Sequence, residues 1–240
     1  MPGPLDQLVE KLNKALGGDL VSVVLYGSAA VGDHHEKFSD YNVLCVLAQI
    51  GPAHLSATET VFRWWQQQGN PAPLLLTEHE VRTSTDCFAI EFHDIKEHHR
   101  ILAGADVVSA LEIDPRFYRA QVEHDLRAKM LRLRQKASAI LSDKDVLRRL
   151  MVESLSTFCV LFRHALILSG VEGPARKRDV IDRAVERFGL DSGPFRALLD
   201  QREQKAKTQD LDAAALLGPY LTEIGKVIDA VDSMEKTRSI

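Results

Sequence analysis

The chain has 240 residues, 45% hydrophobic and 27% charged, with a formal net charge of −4 and a pI near 6.1. That length allows one large or two medium domains, and the balance is that of an ordinary globular protein. The small negative charge gives no strong nucleic-acid signal and argues against attachment to DNA or RNA by bulk electrostatics, while leaving room for a local basic patch.

No run approaches 18 uninterrupted apolar residues, so no membrane-spanning segment is expected. The opening Met1-Pro2-Gly3-Pro4-Leu5-Asp6 has neither the basic segment nor the apolar core of a signal peptide. The expectation is a cytoplasmic protein. Cys45, Cys87 and Cys159 lie far apart without metal-like spacing. Cys45 and Cys159 sit in apolar runs and read as buried free thiols of a reducing compartment.

In chain order, Leu5, Leu8, Val9, Leu12 and Leu16 recur at helical spacing, and Gly17-Gly18 stops that helix. Residues 20–26 form an apolar, β-branched strand that runs into Gly27-Ser28. A strand ending in Gly-Ser can set backbone N–H groups and a hydroxyl against a phosphate, and the dipole of a following short helix adds to the attraction. Residues 41–47 form a second strand, apolar on both faces, as a central strand covered on both sides is. Asp40 and Asn42 at its start point to one face, because strand residues alternate. A phosphate cradle opposite a metal-ligand pair is the arrangement that nucleotidyl transfer needs.

Residues 54–67 read as a helix ending at Gln68-Gly69-Asn70-Pro71, and Leu74-Leu75-Leu76 as a short strand. Thr77 with Glu80 makes a capping box for a brief helix. Residues 88–95 alternate, which predicts a strand with Glu91 and His93 on one face and Phe88, Ile90 and Phe92 on the other. Beyond about residue 112 only helices are expected: one from Asp114-Pro115 to about 141, and one capped by Ser142 with Asp145 and reaching Ser169-Gly170. Three more follow at about 175–188, 193–206 and 211–235. Leu150, Leu155, Phe158, Leu161, Phe162 and Leu166 give a wide apolar face suited to a bundle. The layout is an α/β domain over 1–112 followed by an all-helical bundle over 113–240.

Gly27-Ser28, eleven intervening residues and then Asp40-x-Asn42 leading an apolar strand resemble the signature of the DNA polymerase beta-type nucleotidyltransferases. Within that superfamily the pattern is similar to the minimal members and to the kanamycin, streptomycin/spectinomycin and lincosamide nucleotidyltransferases. The resemblance is best over the first 105 residues and implies an α+β fold: a mixed sheet with flanking helices, then an all-α bundle. It implies that Gly27 and Ser28 bind the triphosphate and that Asp40 is the first metal ligand. Asn42 falls at the second ligand position, where the family carries Asp or Glu, and Glu91 is the third carboxylate, with Asp94 as its substitute. By the same resemblance Lys177 is a basic residue near the substrate or phosphates. On residue type alone, Arg176, Lys177 and Arg178 are solvated charges at a helix start.

The implied reaction is attack by an acceptor hydroxyl on the α-phosphate of a nucleoside triphosphate, ATP first among them, with Mg²⁺ as cofactor. Two metal ions clamp the attacking and leaving oxygens in such reactions, and Mg²⁺ takes hard oxygen ligands. Asp40 and Glu91 supply two negative charges where the family pattern supplies three. Asn42 therefore opens an alternative: a catalytically inactive nucleotide- or ligand-binding member acting as a regulator or antitoxin-like partner. The acceptor, a small molecule or a protein, is not named by the sequence, and a homodimer is compatible with it.

Other polar groups have simpler readings. Asp33, His34, His35 and Glu36 read as exposed loop polarity, and His98-His99 beside Glu97 and Arg100 as a surface turn. Trp64-Trp65 reads as cover for the sheet. Arg119-x4-His124 matches the spacing of HEPN-type ribonucleases, but it is a short motif in the first bundle helix rather than late in the bundle.

Overall fold

Four strands make one mixed sheet in the order β3-β2-β1-β4: β1 (Leu20–Tyr26), β2 (Asn42–Leu47), β3 (Leu74–Thr77) and β4 (His99–Gly104). The computed structural model describes residues 2–30, 41–203 and 212–234. The chain divides into two units, Met1–Asp114 and Pro115–Ile240.

In the first unit β1 runs antiparallel to both β2 and β4, while β2 and β3 are parallel. A parallel pair needs a crossover, which helix α2 (Pro52–Gln67) supplies. Alternation along β1 and β2 builds two cores. Val23, Leu25, Val43, Cys45 and Leu47 meet Leu8, Leu12 and Leu16 of α1 (Pro4–Leu16) and Val61 and Trp65 of α2. Val24, Leu44 and Val46 face the other way. They pack on Val81 of α3 (Glu78–Thr83), on Phe92 and Ile95 of α4 (Ala89–Glu97), and on Val108 and Leu111. Trp65 is fully buried, so the expectation that the Trp pair covers the sheet holds. The Thr77–Glu80 capping box also forms: Thr77 Oγ1 accepts from Glu80 N at 3.1 Å and Glu80 Oε2 accepts from Thr77 N at 2.7 Å.

Two expectations fail here. Residues 88–95 are not a strand; Ala89–Glu97 is a helix. Ala89, Phe92 and Ile95 recur at helical spacing and are buried, while Phe88, which began the alternation, is 50% exposed. Glu91 therefore sits on a helix, and His93, two residues on, points to a different side. The fourth strand is instead His99–Gly104, so His99 is not in a surface turn. Its Nδ1 lies 3.1 Å from Lys96 O and its Nε2 3.3 Å from Ser109 Oγ. Gly104 ends this strand at φ +80°, where an added Cβ would stand 2.0 Å from Val21 O, so only glycine fits.

The second unit holds five helices among the described residues: α5 (Pro115–Ser138), α6 (Lys144–Leu168), α7 (Lys177–Phe188), α8 (Gly193–Arg202) and α9 (Ala213–Ser233). Helix α6 is the core element, touching all four others and burying Met151, Leu155, Phe158, Phe162 and Leu166. By length and composition alone it is apolar enough to cross a membrane; within the bundle it is the central helix. Phe162, Phe195, Tyr220 and Phe158 form a chain of edge-to-face rings with centroids 5.6 to 6.1 Å apart, a geometry the ring quadrupole favours. Tyr118 Oη lies 2.7 Å from Nδ1 of the fully buried His164. The cap of α6 is Asp143, not Ser142: its Oδ1 accepts from Val146 N at 3.0 Å. Arg178 of α7 binds Asp200 and Glu203 at the end of α8.

Cys45 and Cys159 are buried free thiols. Burial pushes each up to about 12, so neither is a nucleophile at neutral pH.

Candidate functional site

The site lies where β1 ends and β2 begins. Gly27 follows β1 at φ +79° and leads into a single 3₁₀ turn, Ser28–Ala30. Its N–H donates to His98 O at 2.9 Å, and its carbonyl accepts from Ala30 N at 2.9 Å. The left-handed backbone here suits glycine. An added Cβ would stand 3.5 Å from Asn42 Nδ2, so the turn and the Asn42 amide are in contact range. Tyr26 pairs with Asn42 on one side and with His99 on the other.

Alternation places Tyr26 and Asn42 on the face of Val24, Leu44 and Val46, which is the face covered by α4. Glu91 stands in the first turn of α4. Burial, and after it the Glu91 charge, hold the Tyr26 phenol above its ordinary range. Gly27, Tyr26, Asn42 and Glu91 thus gather at one end of the sheet, with Tyr26 and Asn42 half-buried and Glu91 exposed.

Of the residues the sequence singles out, Gly27, Asn42 and Glu91 are brought together in this way. Asp94 is half-buried, one helical turn after Glu91. Asp40 lies outside the described residues, as do Asp33, His34, His35 and Glu36, and Ser28 is described in its backbone alone. Lys177 belongs to the second unit, where it opens α7 and its charge opposes, without overcoming, the burial that raises the Cys159 thiol. Arg119 pairs with Glu123 at 2.7 Å, whereas His124 is exposed beside Asp125. Positions five apart on a helix diverge by more than a right angle, so these two do not form a joint site.

Sequence reasoning missed Tyr26. Its signal was an aromatic residue with a polar tip directly before Gly27-Ser28. It also missed a knot after β4, where Asp106 accepts from Ser109 Oγ at 2.6 Å and from the Val108 and Ser109 N–H groups at 3.0 Å each. These bonds hold the Asp106 carboxyl down to about 2. Asp106 accepts the hydroxyl's hydrogen bond itself rather than orienting a histidine to act as its base, so this is a turn lock and not an activated nucleophile.

Of the ligand positions the sequence names, those among the described residues are the carboxylates Glu91 and Asp94 and the neutral amide oxygen of Asn42. Mg²⁺ commonly takes one or two carboxylates with substrate phosphates and water. Carboxylate and amide oxygens of this kind are donors that one Mg²⁺ carried on a triphosphate takes.

The sequence matches no protein-family model and no curated protein. Among solved structures, the chain is similar to a spectinomycin adenyltransferase from Enterococcus faecialis, determined with ATP and spectinomycin. The two share 12% sequence identity and a TM-score of 0.59, over 95% of this chain and 98% of that one. At that identity the likeness is one of fold: the chain has the nucleotidyltransferase-like α+β fold, a mixed sheet with flanking helices and a helical C-terminal region.

Proposed function

We propose that the sheet end at Gly27 binds a nucleoside triphosphate with Mg²⁺, ATP being the first candidate, and that the protein transfers a nucleoside monophosphate to an acceptor hydroxyl. The observation that carries this reading is the left-handed Gly27 turn standing against Asn42, with Glu91 beside Tyr26 on the same face. The likeness in fold to an adenyltransferase supports it.

In this reading Gly27 shapes the turn, because its own N–H is already spent on His98 O. The first N–H groups of the 3₁₀ turn have no partner within the turn and take the phosphate oxygens, together with the Ser28 hydroxyl. Asp40, Asn42 and Glu91 would hold Mg²⁺, which would neutralise charge on the phosphate oxygens. Glu91 accepts the proton of the acceptor hydroxyl. The hydroxyl oxygen bonds to the α-phosphorus, the bond to the bridging oxygen breaks and pyrophosphate leaves. Tyr26, its phenol held above its ordinary range by burial and the Glu91 charge, stays protonated through neutral pH.

One residue favours a second reading. Asn42 leaves the ligand set one charge short, which suits a protein that binds a nucleotide without turning it over, in a regulatory or antitoxin-like role.

Calorimetric titration with ATP, GTP, CTP and UTP, each with and without Mg²⁺, tests the binding. Mg²⁺-dependent binding that Asp40→Ala abolishes supports the site; no binding of any nucleotide refutes both readings. An acceptor screen scored by pyrophosphate release then separates them, since release by wild type but not by Glu91→Gln requires the enzyme.

A further inference from the structure

Charge in this chain is segregated. Between Leu126 and Leu150 there are eight Lys and Arg against two Asp, a net +6 in a chain of net −4. That segment is the end of α5, the turn and the start of α6. Elsewhere the arginines are largely tied: Arg63 to Glu59, Arg82 to Glu78, Arg178 to Asp200 and Glu203, Arg196 to Asp182. Among the described residues, the paired cations of the hairpin are Arg127 and Arg148, with Glu123 and Asp145. Lys129, Arg132, Arg134, Lys136, Lys144 and Arg149 are exposed and make no ion pair among the described residues.

Three of these cations share one face. Lys129, Arg132 and Lys136 are spaced three and four apart on α5, so they stand in a row. They form one wall of a groove of about 300 Å³, whose floor includes Leu133 and Phe158 and whose other wall, on α6, carries Glu153, Ser154 and Thr157. The row spans about 10 Å at 1.5 Å per residue. A nucleic-acid strand carries one charge per about 3.4 Å of its axis, so about three phosphates match three cations. The Thr157 hydroxyl offers a further donor to phosphate oxygen.

We propose that the α5–α6 hairpin holds a nucleic-acid strand by its phosphates, without reading its bases. Among the described residues that line it, the groove has no exposed aromatic side chain on which a base would stack. Its concave wall favours a strand over the flat surface of an anionic bilayer. The overall negative charge conceals this patch because the balancing carboxylates lie elsewhere in the chain. The inference stands beside the proposed nucleotidyl transfer and does not rest on it.

The test is fluorescence anisotropy of the full chain with a labelled single-stranded RNA of about 20 nucleotides, titrated with salt. Three phosphate contacts give a slope near −2 in log K against log salt, or about 20-fold weaker binding between about 50 and 200 mM. Lys129→Ala/Arg132→Ala/Lys136→Ala weakens binding at least tenfold and flattens the slope, while Glu153→Lys tightens it without removing any cation. Absence of binding at low salt, or affinity unchanged in both variants, overturns the proposal. Binding to phosphatidylserine vesicles with none to RNA overturns it in favour of a membrane surface.

Discussion

Glu91, in the first turn of α4, acts on the Tyr26 phenol at the end of β1: its charge adds to burial in holding that phenol protonated above its ordinary value of 10.0. Glu91→Gln removes the charge and leaves the burial, so the Tyr26 titration moves down but stays above that of a free phenol. Ultraviolet tyrosinate absorbance, differenced against Tyr26→Phe, reads this shift. The sign for stability follows from the raised value. A group that binds its proton more tightly when folded stabilises the fold below its unfolded pKa, and that contribution is lost as pH rises through the folded value. Tyr26→Phe therefore flattens the alkaline loss of stability.

Gly27 and Gly104 both lie at positive φ, yet they differ in what surrounds them. At Gly27 a Cβ meets Asn42 Nδ2 at an ordinary 3.5 Å, so Gly27→Ala costs only the left-handed backbone, about 1–2 kcal/mol. At Gly104 the Cβ would stand 2.0 Å from Val21 O, and the β1–β4 backbone has to move. Urea unfolding midpoints should fall in both, and further for Gly104→Ala.

Asn42→Asp restores a charge at the second ligand position. Calorimetry should show tighter Mg²⁺-dependent nucleotide binding than in wild type. Weaker binding would mean that Asn42 is not a metal ligand. The substitution also places a carboxylate near Glu91, so without Mg²⁺ the melting temperature should fall slightly, and added Mg²⁺ should restore it.

Asp106 stabilises through its ionised form. Its carboxyl, lowered from 3.8 to about 2 by the Ser109 and Val108 bonds, contributes stability above the unfolded value that disappears as pH falls through about 2. Melting curves of wild type and Asp106→Asn should differ at neutral pH and converge between about pH 4 and pH 2.

Much of the architecture was legible. Residues 20–26 form the expected strand, the second strand starts at Asn42, and the Thr77–Glu80 box caps its helix. What misled was residues 88–95, where Phe88, Ile90 and Phe92 alternate while Ala89, Phe92 and Ile95 share a helical face. The core selected the helical face, and Phe88 stayed exposed. The true fourth strand opens with His99-Arg100 and has only Ile101-Leu102-Ala103 as an apolar run. It is an edge strand, buried on less of its length, and so leaves a weak pattern. At the site, the sequence pointed to Gly27 and Asn42 by spacing and to Glu91 by type, but assigned Glu91 to the wrong element. Tyr26 was hidden because the Glu91 charge that acts on it comes from a position 65 residues away in the chain.

The most direct test of the nucleotide site is nuclear magnetic resonance of the labelled protein with Mn²⁺·ATP, whose paramagnetism broadens nearby resonances. The account requires broadening at the Gly27 amide, the Asn42 side-chain amide and the first turn of α4. Broadening confined to the helices after Pro115, or none at all, would contradict it.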